Sequence, residues 1–266
     1  VHSYEELSRH PDFIVPLVMS CASKNAKLTT ISMQCFQKLA TVPCIPVDKL
    51  SDVLDAFIEA NQLAMDIKLK VLQVLPIFFQ VYGKYIYGEL CVKLLKCCSD
   101  LLQLPNKSSM VVGTASATLQ QLIDEIFERL SLEKKNPDNK INEDNNYEVL
   151  VGNNEHIKVN IYRLDANRLF SDLCSSFVPN EQAPKDILLD VKNLPINYGL
   201  EILESVLTNS KCVFLEYRDL QFLLRIKAVP LLLRCISSSK NFSTVVRSYR
   251  CIRLLIKEEY LQILEL

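Results

Sequence analysis

Apolar residues recur every three to four positions through almost the whole chain, and only five glycines interrupt 266 residues. That period is the signature of amphipathic α-helices, because residues at i, i+3, i+4 and i+7 share one helical face. Asn-Gly and Asp-Gly hairpin signals are missing, so the pattern argues against a sheet protein. Leu50, Val53, Leu54, Phe57 and Ile58 make one such stripe, between Asp48 and Glu59. Met65 to Tyr82 is apolar nearly all round after Lys70, which predicts a central helix bent at Pro76. Ser3-Tyr4-Glu5-Glu6 reads as a capping box, and Pro11 starts a helix to about Ser23. Further helices are predicted at Leu28–Leu39, Glu89–Leu104, Val111–Leu132, Ile161–Phe177, Ile196–Asn209, Leu215–Ser237 (split by Pro230) and Phe242–Leu264.

About ten helices in pairs of roughly 35–45 residues predict an all-α, HEAT- or armadillo-like α-solenoid. Each pair buries one face alone, and stacking completes the core. No sequence motif repeats along the chain. Gly113-Thr114-Ala115-Ser116-Ala117-Thr118 is small in volume and predicts a tight helix crossing. Lys134 to Asn160 breaks the pattern with Asn and charge, so residues 135–160 are expected to be a mobile linker. It would separate a helical region at 1–134 from another at 161–266.

Chemistry is sparse. Three histidines, His2, His10 and His156, assemble no nucleophile–base constellation with the helices. Neither GxxxxGK[ST] nor GxGxxG occurs. Ten cysteines lie mostly within apolar helical patterns, without the spacing of a disulfide framework, which predicts a reducing compartment. Cys97 and Cys98 are adjacent and lack the second ligand pair that zinc requires, so they read as structural thiols. The paired acids Asp124-Glu125 and Glu258-Glu259 read as solvated helix surface. No catalytic residue, cofactor or metal site is expected. The longest apolar run, Val71 to Tyr82, is too short to span a bilayer, and no signal peptide opens the chain. Any membrane contact is therefore expected to be peripheral. Starting at Val1, the chain reads as a fragment.

One charge feature stands out. Between Lys211 and Lys257 lie ten basic residues and only two acidic ones, Glu216 and Asp219. Arg247, Arg250, Arg253 and Lys257 fall within about a third of the last helix's circumference, with Lys240 just before it. Val245, Tyr249, Ile252 and Ile256 lie on the other side, as a core stripe would. The bland reading is a solvated face. The functional one is a dock for an acidic partner segment or anionic lipid at Lys240, Arg247, Arg250, Arg253 and Lys257. Nucleic acid is disfavoured, since aromatics do not interleave with the basic residues.

Several segments resemble a known family. His10–Phe13 (HPDF), Ser23–Lys27 (SKNAK) and Gly113–Leu122 (GTASATLQQL) are similar to the dimerisation and cyclophilin-binding region of the large Arf guanine-nucleotide exchange factors and their relatives. Leu169–Cys174 (LFSDLC) and Tyr198–Leu207 (YGLEILESVL) resemble the next region, the homology upstream of the Sec-seven domain. The chain looks most like the branch of the family that lacks the catalytic Sec-seven domain. That resemblance implies a non-catalytic scaffold at the cytosolic face of the trans-Golgi network and endosomes, acting in endosome-to-Golgi recycling and vacuolar sorting. It further implies a Dopey protein, an Arf-like GTPase and an aminophospholipid flippase as partners, with homodimerisation suggested by the first region's name. The alternative is a regulatory module of an active exchange factor. The chain would lack the first region's opening helices and end before the Asn-Tyr-Asp-Cys-Asp box of the second.

Overall fold

The computed structural model describes residues 6–7, 9–103, 108–135, 147–152, 155–175, 187–191 and 194–264. The capping box at Ser3 lies outside them, as does most of the Asn-rich stretch, residues 136–146. The class is all-α and its packing is solenoid-like, with one small hairpin among the described residues as the exception. The chain divides into two compact units, Val1–Leu122 and Ile123–Leu266.

In the first unit a 3-10 turn at Pro11–Ile14 leads into α1 (Val15–Ala22). Then come α2 (Ala26–Leu39), α3 (Leu50–Ala60), α4 (Met65–Tyr82) and α5 (Glu89–Gln103). Asn25 caps α2 by accepting the N–H groups of Lys27 and Leu28. Each helix packs on the next or on the next but one: α1 on α2 and α3, α2 on α4, α3 on α4 and α5. This is how helices stack when each exposes an apolar stripe that one neighbour cannot cover.

A ladder of rings links the layers. Phe36 of α2 meets Phe57 of α3 edge-on at 5.2 Å, and Phe57 meets Phe78 of α4 at 5.8 Å. Each such pair adds about 0.5–1.5 kcal/mol beyond its buried area. Helix α4 runs uninterrupted through Pro76 and buries Val71, Leu75 and Phe78, the central position its composition predicts. Tyr82 fixes the loop before α3: its hydroxyl donates to the Val42 carbonyl at 2.7 Å and accepts the Ile45 N–H at 3.0 Å. Asn61, after α3, donates to the Cys97 carbonyl of α5 at 2.8 Å.

Helix α6 (Ser109–Lys135) contains the boundary between the units. Its small-residue stretch is not the tight crossing that its volume predicts at Gly113. That glycine is exposed, and a Cβ there would meet open space. Ala115 and Thr118 are the members of the stretch that turn inward.

In the second unit, two segments of the expected linker, residues 147–152 and 155–159, pair as antiparallel strands. Strand β1 (Tyr147–Gly152) pairs with β2 (Glu155–Val159), with Val149 opposite Ile157 and a bulge between Leu150 and Gly152. Val149, Val151 and Val159 turn inward. The period-2 alternation of apolar residues is brief and set among Asn and charge, so the polar composition masks it. Gly152 takes φ +123°, a backbone region that only glycine enters freely, 3.4 Å from the Phe222 ring at its Cβ position.

Helix α7 (Ile161–Ser175) follows, then α8 (Ile196–Asn209), α9 (Lys211–Glu216) and α10 (Arg218–Leu223). A π-helical turn at Leu224–Ala228 leads into α11 (Val229–Ser238), then α12 (Phe242–Leu255) and α13 (Glu258–Leu264). The sequence predicts one helix from Leu215, split at Pro230. The first break falls instead at Tyr217, which is extended at φ −99°, ψ 111°. Its ring lies under the Arg163 guanidinium at 4.4 Å, and its hydroxyl donates to the Leu130 carbonyl at 3.3 Å. Tertiary contacts thus override local helix preference. Pro230 sits in the first turn of α11, just after the π turn.

Phe127, Phe170, Phe214 and Tyr260 form the aromatic centre of this unit, with Phe170 and Phe214 at 4.9 Å. Asp172 of α7 holds the segment at 187–191 by accepting the N–H groups of Leu188 (2.7 Å) and Leu189 (3.1 Å) on one oxygen.

Candidate interaction surface

The basic residues singled out above surround α12. Asn241 starts the helix by accepting the Ser243 N–H at 2.9 Å. Four residues turn inward: Thr244, Ser248, Cys251 and Leu255. They recur at four, three and four positions, one helical face, and the helix packs on α8 and α11. Thr244 Oγ1 donates to Asn197 Oδ1 of α8 at 2.7 Å, and Ser248 Oγ back-bonds to the Thr244 carbonyl at 2.8 Å. Tyr260 of α13 donates to the Leu207 carbonyl at 2.6 Å, tying α13 to α8.

This turns the buried face about 100° from the one that the sequence suggests. Tyr249 and Ile256, placed above in a core stripe, are exposed at 57% and 62%, and Phe242 is exposed at 82%. Val245 and Ile252 are half-buried. Small polar residues and a cysteine can line a helix interface when their hydroxyls bond locally, and a hydropathy pattern scores them as surface. The hydropathy pattern therefore points to the wrong face. The missed signal is the Ser/Thr/Cys/Leu period itself.

The basic set divides. Arg247 reaches back across α8 to Glu201 (3.1 Å) and Glu204 (3.7 Å), so its charge is used inside the unit. Lys240, Arg250, Arg253 and Lys257 are exposed. Of the other basic residues in the segment, Lys227 donates to Ser171 and Ser175 of α7, and Arg218 pairs with Glu155 at 3.2 Å.

The eight buried cysteines are packing groups. Burial pushes the Cys21 thiol up to about 11 and those of Cys174 and Cys251 up to about 12. Cys97 and Cys98 are raised by burial as well, so these thiols stay protonated and unreactive at neutral pH. His10 and His156 are both exposed, and His156 pairs with Leu150 in the hairpin. Among the described residues no group of three or more His, Cys, Asp or Glu side chains is placed to hold a metal ion. No described helix is long and apolar enough to cross a membrane.

Comparison with known proteins places these helices in context. The family model described as Mon2/Sec7/BIG1-like, dimerisation and cyclophilin-binding domain matches residues 1–134. A second, described as Mon2/Sec7/BIG1-like, HUS domain, matches residues 162–266. Protein MON2 of Saccharomyces cerevisiae is 63% identical over 269 residues, covering 100% of this chain and 16% of that protein. The MON2 homolog of Schizosaccharomyces pombe is 26% identical over 95% of this chain and 14% of its own length. The human MON2 homolog is 26% identical over 87% of this chain and 13% of its own length. The chain thus spans about a sixth or less of these relatives.

Proposed function

Because the chain belongs to the Mon2/Sec7/BIG1-like family, we propose that it is a non-catalytic scaffold module of membrane trafficking between endosomes, the Golgi and the vacuole. It works at the cytosolic face of the trans-Golgi network and endosomes, associating peripherally with the membrane. Its partners are a Dopey protein, an Arf-like GTPase and an aminophospholipid flippase, and the first region brings two copies together. The family's description of that region, dimerisation and cyclophilin-binding, supports self-association.

The observation that carries the reading is that family membership coincides with stacked helices whose outward faces expose apolar and basic side chains. Phe242, Tyr249 and Ile256 beside Arg250, Arg253 and Lys257 are the clearest case. Stacked helix pairs offer a stiff surface for several partners at once. The relatives matched bear the MON2 name, which favours a scaffold over a regulatory module of an active exchange factor.

The test is a binding assay between the purified chain and a purified Arf-like GTPase, loaded with GTP or GDP, with and without Dopey. Saturable, GTP-selective binding at physiological salt is expected. No binding to either protein at low salt would overturn the scaffold reading.

A further inference from the structure

We propose that the outer face of α12 is the part of this chain that lies against an anionic membrane. Phe242, Tyr249 and Ile256 enter the headgroup layer, while Arg250, Arg253 and Lys257 meet lipid phosphates and carboxylates beside them. The inference rests on the peripheral-membrane part of the function proposed above and assigns it residues and a lipid chemistry.

The geometry is set by a spacing of seven. Phe242, Tyr249 and Ile256 follow one another at seven-residue steps, so each stands about 10.5 Å further along the axis and only about 20° round from the last. They form a nearly straight row some ~21 Å long. All three are more than half exposed, with Phe242 at 82%. On one side of the row, Arg253 and Arg250 lie about 40° and 100° round from Tyr249, and Lys257 follows just past the helix end. All three are exposed. No Asp or Glu occurs from Lys240 to Lys257, and the next two residues, Glu258 and Glu259, begin α13. The nearest carboxylates of the packed helix, Glu201 and Glu204, are paired with Arg247. The outer face therefore carries positive charge with no acid of its own element to repel an anionic surface.

The same geometry separates a bilayer from a partner helix. A docked helix needs a continuous seam, with residues presented at both a and d positions so that knobs enter holes. Here the intervening positions, Val245 and Ile252, are half-buried in the fold. What protrudes is a single row of separated apolar tips. A fluid interface accommodates isolated tips by closing around each one, and anionic headgroups meet the flanking cations. Tyrosine suits that depth, with its ring in the apolar zone and its hydroxyl among headgroups. Lys and Arg stems let the charges reach upward while the row sinks.

The test is flotation of the intact chain with vesicles of phosphatidylcholine alone and with about a third phosphatidylserine, across a salt series. Two variants are compared, R250E/R253E/K257E and F242S/Y249S/I256S. Both change exposed positions, and their fold is checked by circular dichroism. K27E/K38E, at two exposed positions of the first unit, is the control. The expected result is salt-sensitive binding to anionic vesicles only, lowered about 100-fold or more by the charge reversals, since each basic residue near such a surface contributes about fivefold. The apolar variant should lose at least about tenfold, and the control should bind as wild type. Variants that bind as well as the parent chain would overturn the assignment to α12 while leaving peripheral association standing. A parent chain that ignores anionic vesicles would overturn the inference outright, and the GTPase assay above would still judge the scaffold. An acidic amphipathic peptide that binds the parent but neither variant, without vesicle binding, would overturn it in favour of a protein partner.

Discussion

Arg163 and Asp219 form an ion pair in which the carboxylate is fully buried and the guanidinium is 19% exposed. Arg163 Nε donates to Asp219 Oδ1 at 2.8 Å, its NH2 group donates to the same oxygen, and Asn167 Nδ2 donates to Oδ2 at 3.1 Å. The pair ties the first turn of α7 to the first turn of α10 and holds Arg163 over the Tyr217 ring. Removing one member leaves the other charge without compensation. R163A should therefore cost about 3–5 kcal/mol, most of it the penalty of stranding Asp219. D219N/R163M, which removes both charges, should recover much of that loss. Urea unfolding of the single and double variants checks this. A double variant no more stable than R163A would show that the charge itself is not what matters.

Asp172 gives the second unit a pH dependence of known sign. Burial raises its carboxyl from 3.8 to about 6, against the opposing pull of the Leu188 and Leu189 N–H groups and of Lys227 and Arg168. Between about pH 4 and 6 the folded chain holds a proton that the unfolded chain releases. The contribution of this group to stability is therefore greatest below about 4, falls as pH rises through 6, and is flat above. D172N lacks the titration. The wild type should lose on the order of 2 kcal/mol relative to D172N between pH 4 and 7. Unfolding midpoints of both chains over that range give the difference, and a constant difference would refute the assignment.

Of the ten cysteines, Cys212 is exposed, Cys35 is intermediate and the remaining eight are buried. A thiol reagent added to the native protein should modify Cys212 at once and Cys35 more slowly. The other eight should react only on unfolding, because burial both shields the sulfur and suppresses the thiolate. Time-resolved mass spectrometry of the labelled chain counts them. Early labelling of Cys97 or Cys98 would mean that the α3–α5 packing opens readily.

Gly113 lies inside α6, exposed and with open space where a Cβ would stand. G113A should therefore stabilise the first unit by about 0.5–1 kcal/mol, since glycine in a helix costs backbone entropy that nothing here repays. A thermal or urea titration measures it. A loss of stability would mean that another surface needs the approach that a missing side chain permits.

The helices of the first unit were legible because their stripes are made of Leu, Val, Ile and Phe, which carry both the period and the burial. Pattern reading failed where burial was carried by other chemistry. In α12 the inward face is Thr244, Ser248, Cys251 and Leu255, so the more apolar residues stood on the wrong side of the reading. In the hairpin, three inward valines were outweighed by neighbouring Asn and charge. At Tyr217 a ring wanted by Arg163 and a hydroxyl wanted by Leu130 stop a helix that local propensity would continue. The basic residues of the candidate surface were legible as a set. Their division was not, because Arg247 differs from Arg250 only in having Glu201 and Glu204 within reach.

The π turn at Leu224–Ala228, where the Val229 N–H reaches five residues back to the Leu224 carbonyl, holds one residue more than an α-helical turn would. Removing Ile226, which is exposed, would let the turn close to ordinary pitch. The buried Leu231, Leu232 and Cys235 beyond it would stay close to the faces they now occupy. A single-codon gap is therefore expected to be tolerated better at this turn than inside α11 itself.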